Sequence, residues 1–499
     1  MNEKRIKEFK IACANYLQTV SLNDLRAYAR MLNFTDPTKL KKGDLLQSIV
    51  AASAGEIVPA GRNNRGAPVK NNYVPPQLIE TVENLKRRYL YNEKESGTGR
   101  LDELNSGAFN TLNNFPSKLV FSSDDTQEEH WTEQVNKTVV RGQLQFLNDV
   151  SRLLPLDCGV EEEPIVVPAE LVGEHGLREG DVVACHTVKI KNVSVVKEIL
   201  TVNDTQLMFL KREKFEESEV CYPHKAVPFL SENTSSVSAK YIEWLLPLYQ
   251  GQRGVILSAP KAGKTELLYT LTTSALNASR EVKVLVLLTA QSPENVWKFR
   301  NVIPEDQLVY TTYDDSPEKQ VFAAEFILNR AKRFVECGKN VLLFIDSYSA
   351  LAKAYNETED SAGGKVLAGG LESKTLQYMR RFLGSARCFK QGGSLTLLGT
   401  VACDTGNPFD ELLALELSNL ANHQIYLNET LSAKRVYPAI DLTKSFTRPG
   451  GFSDHEESER VYQQVCREFL PAQGEESLCK TLESCDQFRN FLCKIGAKI

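Results

Sequence analysis

The 499-residue chain contains no Cys-x-x-Cys pair, although it carries 11 cysteines. Cysteines scattered singly argue against a zinc site and against a disulfide framework, so buried reduced thiols are expected. The six histidines are dispersed and suggest no metal cluster. No apolar run is long enough to cross a bilayer. The opening Met1-Asn2-Glu3-Lys4-Arg5 leads into an amphipathic segment without the apolar core of a signal peptide. A cytoplasmic protein with no membrane partner is therefore expected. An overall basic excess is missing too. The formal net charge is −5, so any contact with nucleic acid must come from local basic surfaces. What is present is an ordinary globular composition, 42% hydrophobic and 25% charged. The length suits roughly two to four domains.

The most informative stretch is Val255-Ile256-Leu257-Ser258-Ala259-Pro260-Lys261-Ala262-Gly263-Lys264-Thr265. A short apolar run reads as a buried strand, and Glu266-Leu267-Leu268-Tyr269-Thr270-Leu271 reads as the helix that follows. Gly-Lys-Thr alone is a weak signal, and Ser258 stands where such loops usually have their first glycine. The strand before and the helix after supply the context that a phosphate-binding loop requires. Backbone N–H groups of the loop and of the helix start can surround phosphate oxygens. Lys264 would reach the β- and γ-phosphates of ATP, and the Thr265 hydroxyl would hold Mg²⁺.

In chain order, residues 1–53 read as a small helical module. Ser21-Leu22-Asn23-Asp24 resembles a capping box; Leu22, Leu25, Ala29 and Leu32 mark one helical face. A second helix follows Lys39-Leu40-Lys41-Lys42-Gly43-Asp44, with Leu45, Leu46 and Ile49 on its apolar side. Residues 54–137 read as a Gly-, Pro- and Asn-rich linker and a loosely ordered, polar insert. Over 138–206, short apolar segments punctuated by glycine predict a small barrel of the oligonucleotide-binding or cold-shock type. It has few of the aromatic side chains that usually stack on bases. A connector spans 207–250. From 251 to 499, apolar strands at Val255–Leu257, Val282–Leu288, Val341–Ile345, Leu395–Leu398 and Gln424–Leu427 alternate with helices such as Glu318–Val335. That alternation predicts an α/β domain with a mostly parallel sheet and ligands at the carboxyl ends of its strands.

Two strand ends add chemistry. Val341-Leu342-Leu343-Phe344-Ile345-Asp346 ends in an acid suited to the Mg²⁺ shell opposite Thr265. The strand ending at Leu288 leads to Gln291-Ser292-Pro293-Glu294, where enzymes of this kind place the carboxylate that activates water. Gly251-Gln252-Arg253-Gly254 and the loop then resemble the bacterial transcription termination factor Rho family. Asp346-Ser347, Gly364-Lys365-Val366-Leu367-Ala368-Gly369-Gly370, Asp404-Thr405-Gly406, Lys434-Arg435-Val436-Tyr437-Pro438 and Thr447-Arg448 agree in order. The resemblance covers nearly all of about 251–450.

The resemblance implies a RecA-like P-loop ATPase forming a homohexamer. Such a ring pulls on single-stranded RNA at the expense of ATP and dislodges RNA polymerase. It assigns the nucleotide site to Pro260, Lys261, Ala262, Gly263, Lys264, Thr265 and Glu266, with Tyr437 stacking on adenine. Asp346 and Thr265 would hold the metal. Arg435 and Arg448 would act at the subunit boundary, Arg448 as a finger supplied in trans. Gly364, Lys365 and Val366 would belong to the central RNA-contacting loop.

Departures point the other way. The family's water-activating glutamate aligns with Gln291, which can orient water but cannot accept its proton. Pro408 stands at a second central-channel lysine. Val150-Ser151-Arg152-Leu153-Leu154-Pro155 and Val166 replace aromatic positions of the barrel. Two readings result. One is an RNA-dependent ATPase that terminates transcription; the other is a nucleotide-binding ring that hydrolyses poorly and regulates by binding.

Overall fold

In the computed structural model the described residues are isolated positions before 42, then 42–53, and 135–495 with breaks at 148–149, 160–164, 191–192, 210–211, 232–235, 359–364 and 449–455. The expected linker and most of the insert lie outside them, as do Leu22, Leu32 and Lys39-Leu40-Lys41. Within the N-terminal unit, which spans Met1–Pro116, Leu25 and Ala29 are buried. So are Leu45, Leu46 and Ile49 on the helix Lys42–Ser53.

The second unit, Ser117–Ile499, holds two sheets. The first is built from β1 (Val135–Leu147), β2 (Val150–Leu154), β3 (Ile165–Val167), β4 (Val182–Ile190), β5 (Val193–Val202) and the short β6 (Thr205–Gln206). Its order is β3-β2-β1-β4-β5-β6, and a β3–β5 pairing closes the first five strands into a barrel. The closing pair is parallel, and a short helix, Ala169–Glu174, lies between β3 and β4. This is the oligonucleotide-binding barrel architecture. Alternate residues face in, so Leu144, Leu153, Val183 and Cys185 share one core with Val196 and Ile199. Strand β1 starts at Val135, inside the stretch expected to be insert, and joins two expected strand fragments into one.

The second sheet contains β7 (Val220–Cys221), β8 (Arg253–Ser258), β9 (Val282–Gln291), β10 (Leu308–Thr312), β11 (Asn340–Asp346), β12 (Arg387–Phe389), β13 (Ser394–Ala402), β14 (His423–Leu427) and β15 (Phe446–Thr447). Its main order is β10-β9-β11-β13-β8-β14-β15, with β12 pairing both β13 and β7. The five expected strands are its central members, all mutually parallel. Both faces of this sheet are covered, which is why the strands read as continuous apolar runs. Ile256, Leu342 and Phe344 pack into one core, together with the helices Val237–Leu245 and Lys264–Ala278. Val255, Leu257, Leu343 and Ile345 pack into the other, against the helices Pro317–Glu336 and Tyr348–Glu357. The helix Val237–Leu245 lies in the expected connector but belongs to the first of these cores.

The helix Pro317–Glu336 also holds the barrel. Ser316 caps it by accepting from Lys319 N–H, proline occupies its first turn, and Arg333 sits in its last turn. Its Arg330 is fully buried. Arg330 Nε donates to Gln143 Oε1 on β1 (2.7 Å), Nη1 to the Asp306 carbonyl (3.0 Å) and Nη2 to the Leu156 carbonyl. Gln143 Nε2 returns a bond to the Phe326 carbonyl at 2.7 Å. Burial pushes the Arg330 guanidinium down to about 10. Removing it strands three buried acceptors, and each is costly to leave unpaired. Arg330→Ala should therefore lower unfolding free energy by about 3–5 kcal/mol, read from the urea midpoint of the full chain. A loss below about 1 kcal/mol would show that this network does not secure the barrel.

His423 on β14 is a second buried titratable group, wholly enclosed opposite Gly254 and Thr447. Burial depresses its pKa to about 3. The unfolded chain then binds a proton that the folded chain refuses between about pH 6.5 and pH 3. Stability should fall as pH drops through that window, by up to about 1.4 kcal/mol per pH unit from this residue. His423→Phe should flatten the slope of urea stability against pH, and an unchanged slope would count against it.

Candidate functional site

Strand β8 delivers the loop at its carboxyl end, and the helix Lys264–Ala278 begins directly after it. Ser258, in the place of the usual glycine, is fully buried, and its hydroxyl donates to the Ala259 carbonyl at 2.8 Å. Two left-handed positions turn the loop, Lys261 at φ 64° and Gly263 at φ 91°. Gly263 is the helix N-cap, a position where a residue with a side chain would be strained. Glu266 lies in the first turn, where a negative charge suits the helix dipole.

Strand β11 stands two places from β8, with β13 between them. It brings Asp346 beneath the helix start. Thr265 Oγ1 donates to Asp346 Oδ2 at 2.7 Å, and Thr400 Oγ1 on β13 donates to Oδ1 at 2.6 Å. Asp346 is 1% exposed, and among the described residues no basic side chain pairs with it. A buried carboxylate held only by two hydroxyls is a costly arrangement unless a cation joins it. The donor set of hydroxyl and carboxylate oxygens suits Mg²⁺, so these residues fit the metal. Thr400 gave no signal in the sequence. Its role follows from the β11–β13 register, which pairs Ile345 with Gly399.

Gln291 ends β9 on the same side of the sheet, 9% exposed. Its Nε2 donates to the Asp346 carbonyl at 3.1 Å, and its Oε1 accepts from Asn295 Nδ2 at 3.2 Å. Both ends of the amide are thus engaged. Glu294 lies on the exposed first turn of the helix Pro293–Arg300. Hydrogen bonds from its own backbone N–H and from Ser292 hold its carboxyl below the ordinary range, which makes it a poor proton acceptor.

A cleft of about 150 Å³ joins the loop to the strand-end segment after β14, lined by Ala262, Gly263, Glu266, Tyr437 and Pro438. Tyr437 is 52% exposed, and a Cβ added at Gly263 would stand 3.4 Å from its ring. The same segment is tied to the loop, because Ser432 Oγ donates to the Lys261 carbonyl at 3.2 Å. Arg435 lies on it, exposed, at φ 61°.

Arg448 is elsewhere. Thr447 pairs with His423, and His423 with Gly254, at the amino end of β8. Four to five residues at about 3.3 Å each separate that point from the loop, roughly 15 Å. Arg448 is exposed there, its guanidinium over the Phe446 ring at 4.9 Å. It cannot reach the loop of its own chain.

Lys365 and Val366 are exposed on a turn closed by Ser373 N–H donating to the Lys365 carbonyl (2.9 Å). Gly364 lies outside the described residues. Gly369, at φ 70°, packs so closely on the 408–409 backbone that a Cβ would fall 2.2 Å from Phe409 N. The two loops therefore move as one. Pro408 is the first residue of the helix Pro408–Leu420, capped by Asn407, a position where its missing N–H costs nothing. On the barrel, Phe146 is the lone aromatic between 139 and 206, 38% exposed and opposite Ser151.

Comparison with known proteins agrees with this geometry. Residues 238–447 match the family described as the ATP synthase alpha/beta family, nucleotide-binding domain. The transcription termination factor Rho of Streptobacillus moniliformis is 33% identical over 288 residues, covering 57% of this chain and 68% of that protein. The chain belongs to the Rho family. Rho of Rhodopirellula baltica is 34% identical over 303 residues, covering 60% of this chain and 59% of its own length. Rho of Escherichia coli is 35% identical over 244 residues, 49% of this chain and 57% of its own length. The match thus spans well under two thirds of those two relatives. Among solved structures, an ATPase from a bacterial type III secretion system aligns with a TM-score of 0.46 at 19% identity, over 56% of this chain and 86% of its own. No helix among the described residues is long and apolar enough to cross a membrane.

Proposed function

We propose that this chain is a Rho-type ATPase that works in the cytoplasm as a homohexamer and terminates transcription by pulling single-stranded RNA away from RNA polymerase. The observation that carries the reading is the Thr265–Asp346 contact of 2.7 Å beneath a phosphate-binding loop, with the carboxylate buried and free of basic partners. In this reading Lys261, Lys264 and the loop N–H groups bind the phosphates, and Thr265 and Asp346 hold Mg²⁺. The metal supplies charge neutralisation between phosphate oxygens when bound. Tyr437 receives the adenine. Arg435 and Arg448 serve a neighbouring subunit's nucleotide, and Lys365 with Val366 meets RNA in the channel.

Lys264→Ala tests the site. Calorimetry should show ATP·Mg²⁺ binding in the wild type and none in the variant, and unchanged affinity in the variant would refute the assignment. One observation favours a second reading, a nucleotide-binding ring with weak hydrolysis. Gln291 is packed as an amide between a donor and an acceptor, so the site is shaped for a neutral side chain.

A further inference from the structure

The connector between barrel and ATPase sheet runs through β7, which lies antiparallel to β12 with Cys221 directly opposite Cys388. Three residues on, the chain brings His224 back to the same spot. The two Sγ atoms and a His224 ring nitrogen all lie within 4.8 Å of one another. Two thiols and an imidazole converge here from segments separated by more than 160 positions in sequence, so the spacing of cysteines along the chain hides the cluster. The expectation of no metal cluster fails at this point, because it considered only near neighbours in sequence.

We propose that Cys221, Cys388 and His224 form a Zn²⁺ site that fastens the connector to the ATPase sheet. Thiolate and imidazole donors select zinc over magnesium or calcium. Zn–S bonds of about 2.3 Å and Zn–N bonds of about 2.0 Å need tetrahedral donors roughly 3.5–3.8 Å apart, within a small side-chain adjustment of what is found. The imidazole is already oriented. His224 Nδ1 lies 3.2 Å from the Tyr222 carbonyl, which can only accept, so Nδ1 carries the proton and Nε2 keeps its lone pair. A ring N–H given to a backbone carbonyl is the usual support of a metal-bound histidine. Cys388 is buried, Cys221 half-buried and His224 exposed, so an ion would sit at the rim with its fourth position open to water. The site lies at the amino end of the sheet. Cys388 pairs with Ser394, and Ser394 with Asn340, whereas Asp346 ends the same strand β11 at the nucleotide side. The ion therefore belongs to the hinge between domains and not to ATP chemistry. Binding releases the thiol protons and changes no oxidation state.

The full-length chain, stripped with a chelator and kept reduced, should be titrated with Co²⁺ and then Zn²⁺. The wild type should take up one ion per chain, show thiolate-to-cobalt charge-transfer absorption, and lose it when zinc is added. Cys221→Ser should abolish the band, and His224→Ala should weaken zinc affinity by at least about tenfold. Both substitutions lie on half-buried or exposed residues, and a circular-dichroism melt checks that each variant folds. Two results would overturn the proposal. One is a wild type without the charge-transfer band, or with a band that survives in Cys221→Ser. The other is a Cys221–Cys388 disulfide recovered by mass spectrometry from protein that never bound the ion.

Discussion

Arg448→Ala should leave ATP binding largely intact and lower turnover by about 10³–10⁵-fold, the range found for arginine fingers in other NTPases. The substitution is mild for the fold. The Arg448 backbone keeps its bonds, N–H to the Asn422 carbonyl at 2.8 Å and carbonyl from Gln252 Nε2 at 3.1 Å. Only the contact with the Phe446 ring is lost, worth about 0.5–1 kcal/mol at an exposed site. The kinetic effect is large because Arg448 sits at the opposite end of β8 from its own loop. It can act only on a nucleotide held by another subunit, and a head-to-tail contact that repeats around an axis closes into a ring. Mixing Arg448→Ala with Lys264→Ala chains should restore part of the activity, since some interfaces then carry both an intact loop and an intact arginine. Mixed rings that stay inactive while the wild type turns over would show that Arg448 does not work in trans.

Gln291→Glu should raise turnover by about 10²–10⁴-fold, the usual contribution of a positioned general base. The gain comes at a structural cost. Gln291 Nε2 donates to the Asp346 carbonyl, and a carboxylate there would face that oxygen with a lone pair of its own. It would turn toward the nucleotide instead and leave the carbonyl unpaired, which costs about 1–3 kcal/mol. Urea midpoints should fall as turnover rises. A variant that loses stability without gaining rate would show that position 291 does not meet the attacking water. Glu294 offers no substitute, because it is turned outward and its carboxyl is held below the ordinary range.

The central strands of the ATPase sheet were legible because burial on both faces makes each a continuous apolar run. Leu308–Thr312 was not, since Tyr310-Thr311-Thr312 makes half of it polar. Strands β12 and β15, of three and two residues, are too short to show periodicity. The loop and Asp346 could be read because their chemistry is local: a glycine-lysine-threonine turn after a strand, and an acid at a strand end. Thr400, Asn295 and the Cys221–His224–Cys388 cluster could not. Each depends on strand register or on two distant segments meeting, and neither leaves a pattern along the chain. Arg330 gave no sign either, as an arginine in an amphipathic helix ordinarily faces water.

RNA-stimulated ATP turnover, measured on the full-length chain beside Lys264→Ala, tests the central claim most directly. The account predicts slow hydrolysis that rises when single-stranded RNA is added and disappears in Lys264→Ala. ATP that binds at the loop but is not hydrolysed, with or without RNA, would contradict it and leave the nucleotide-binding ring as the function of this fold.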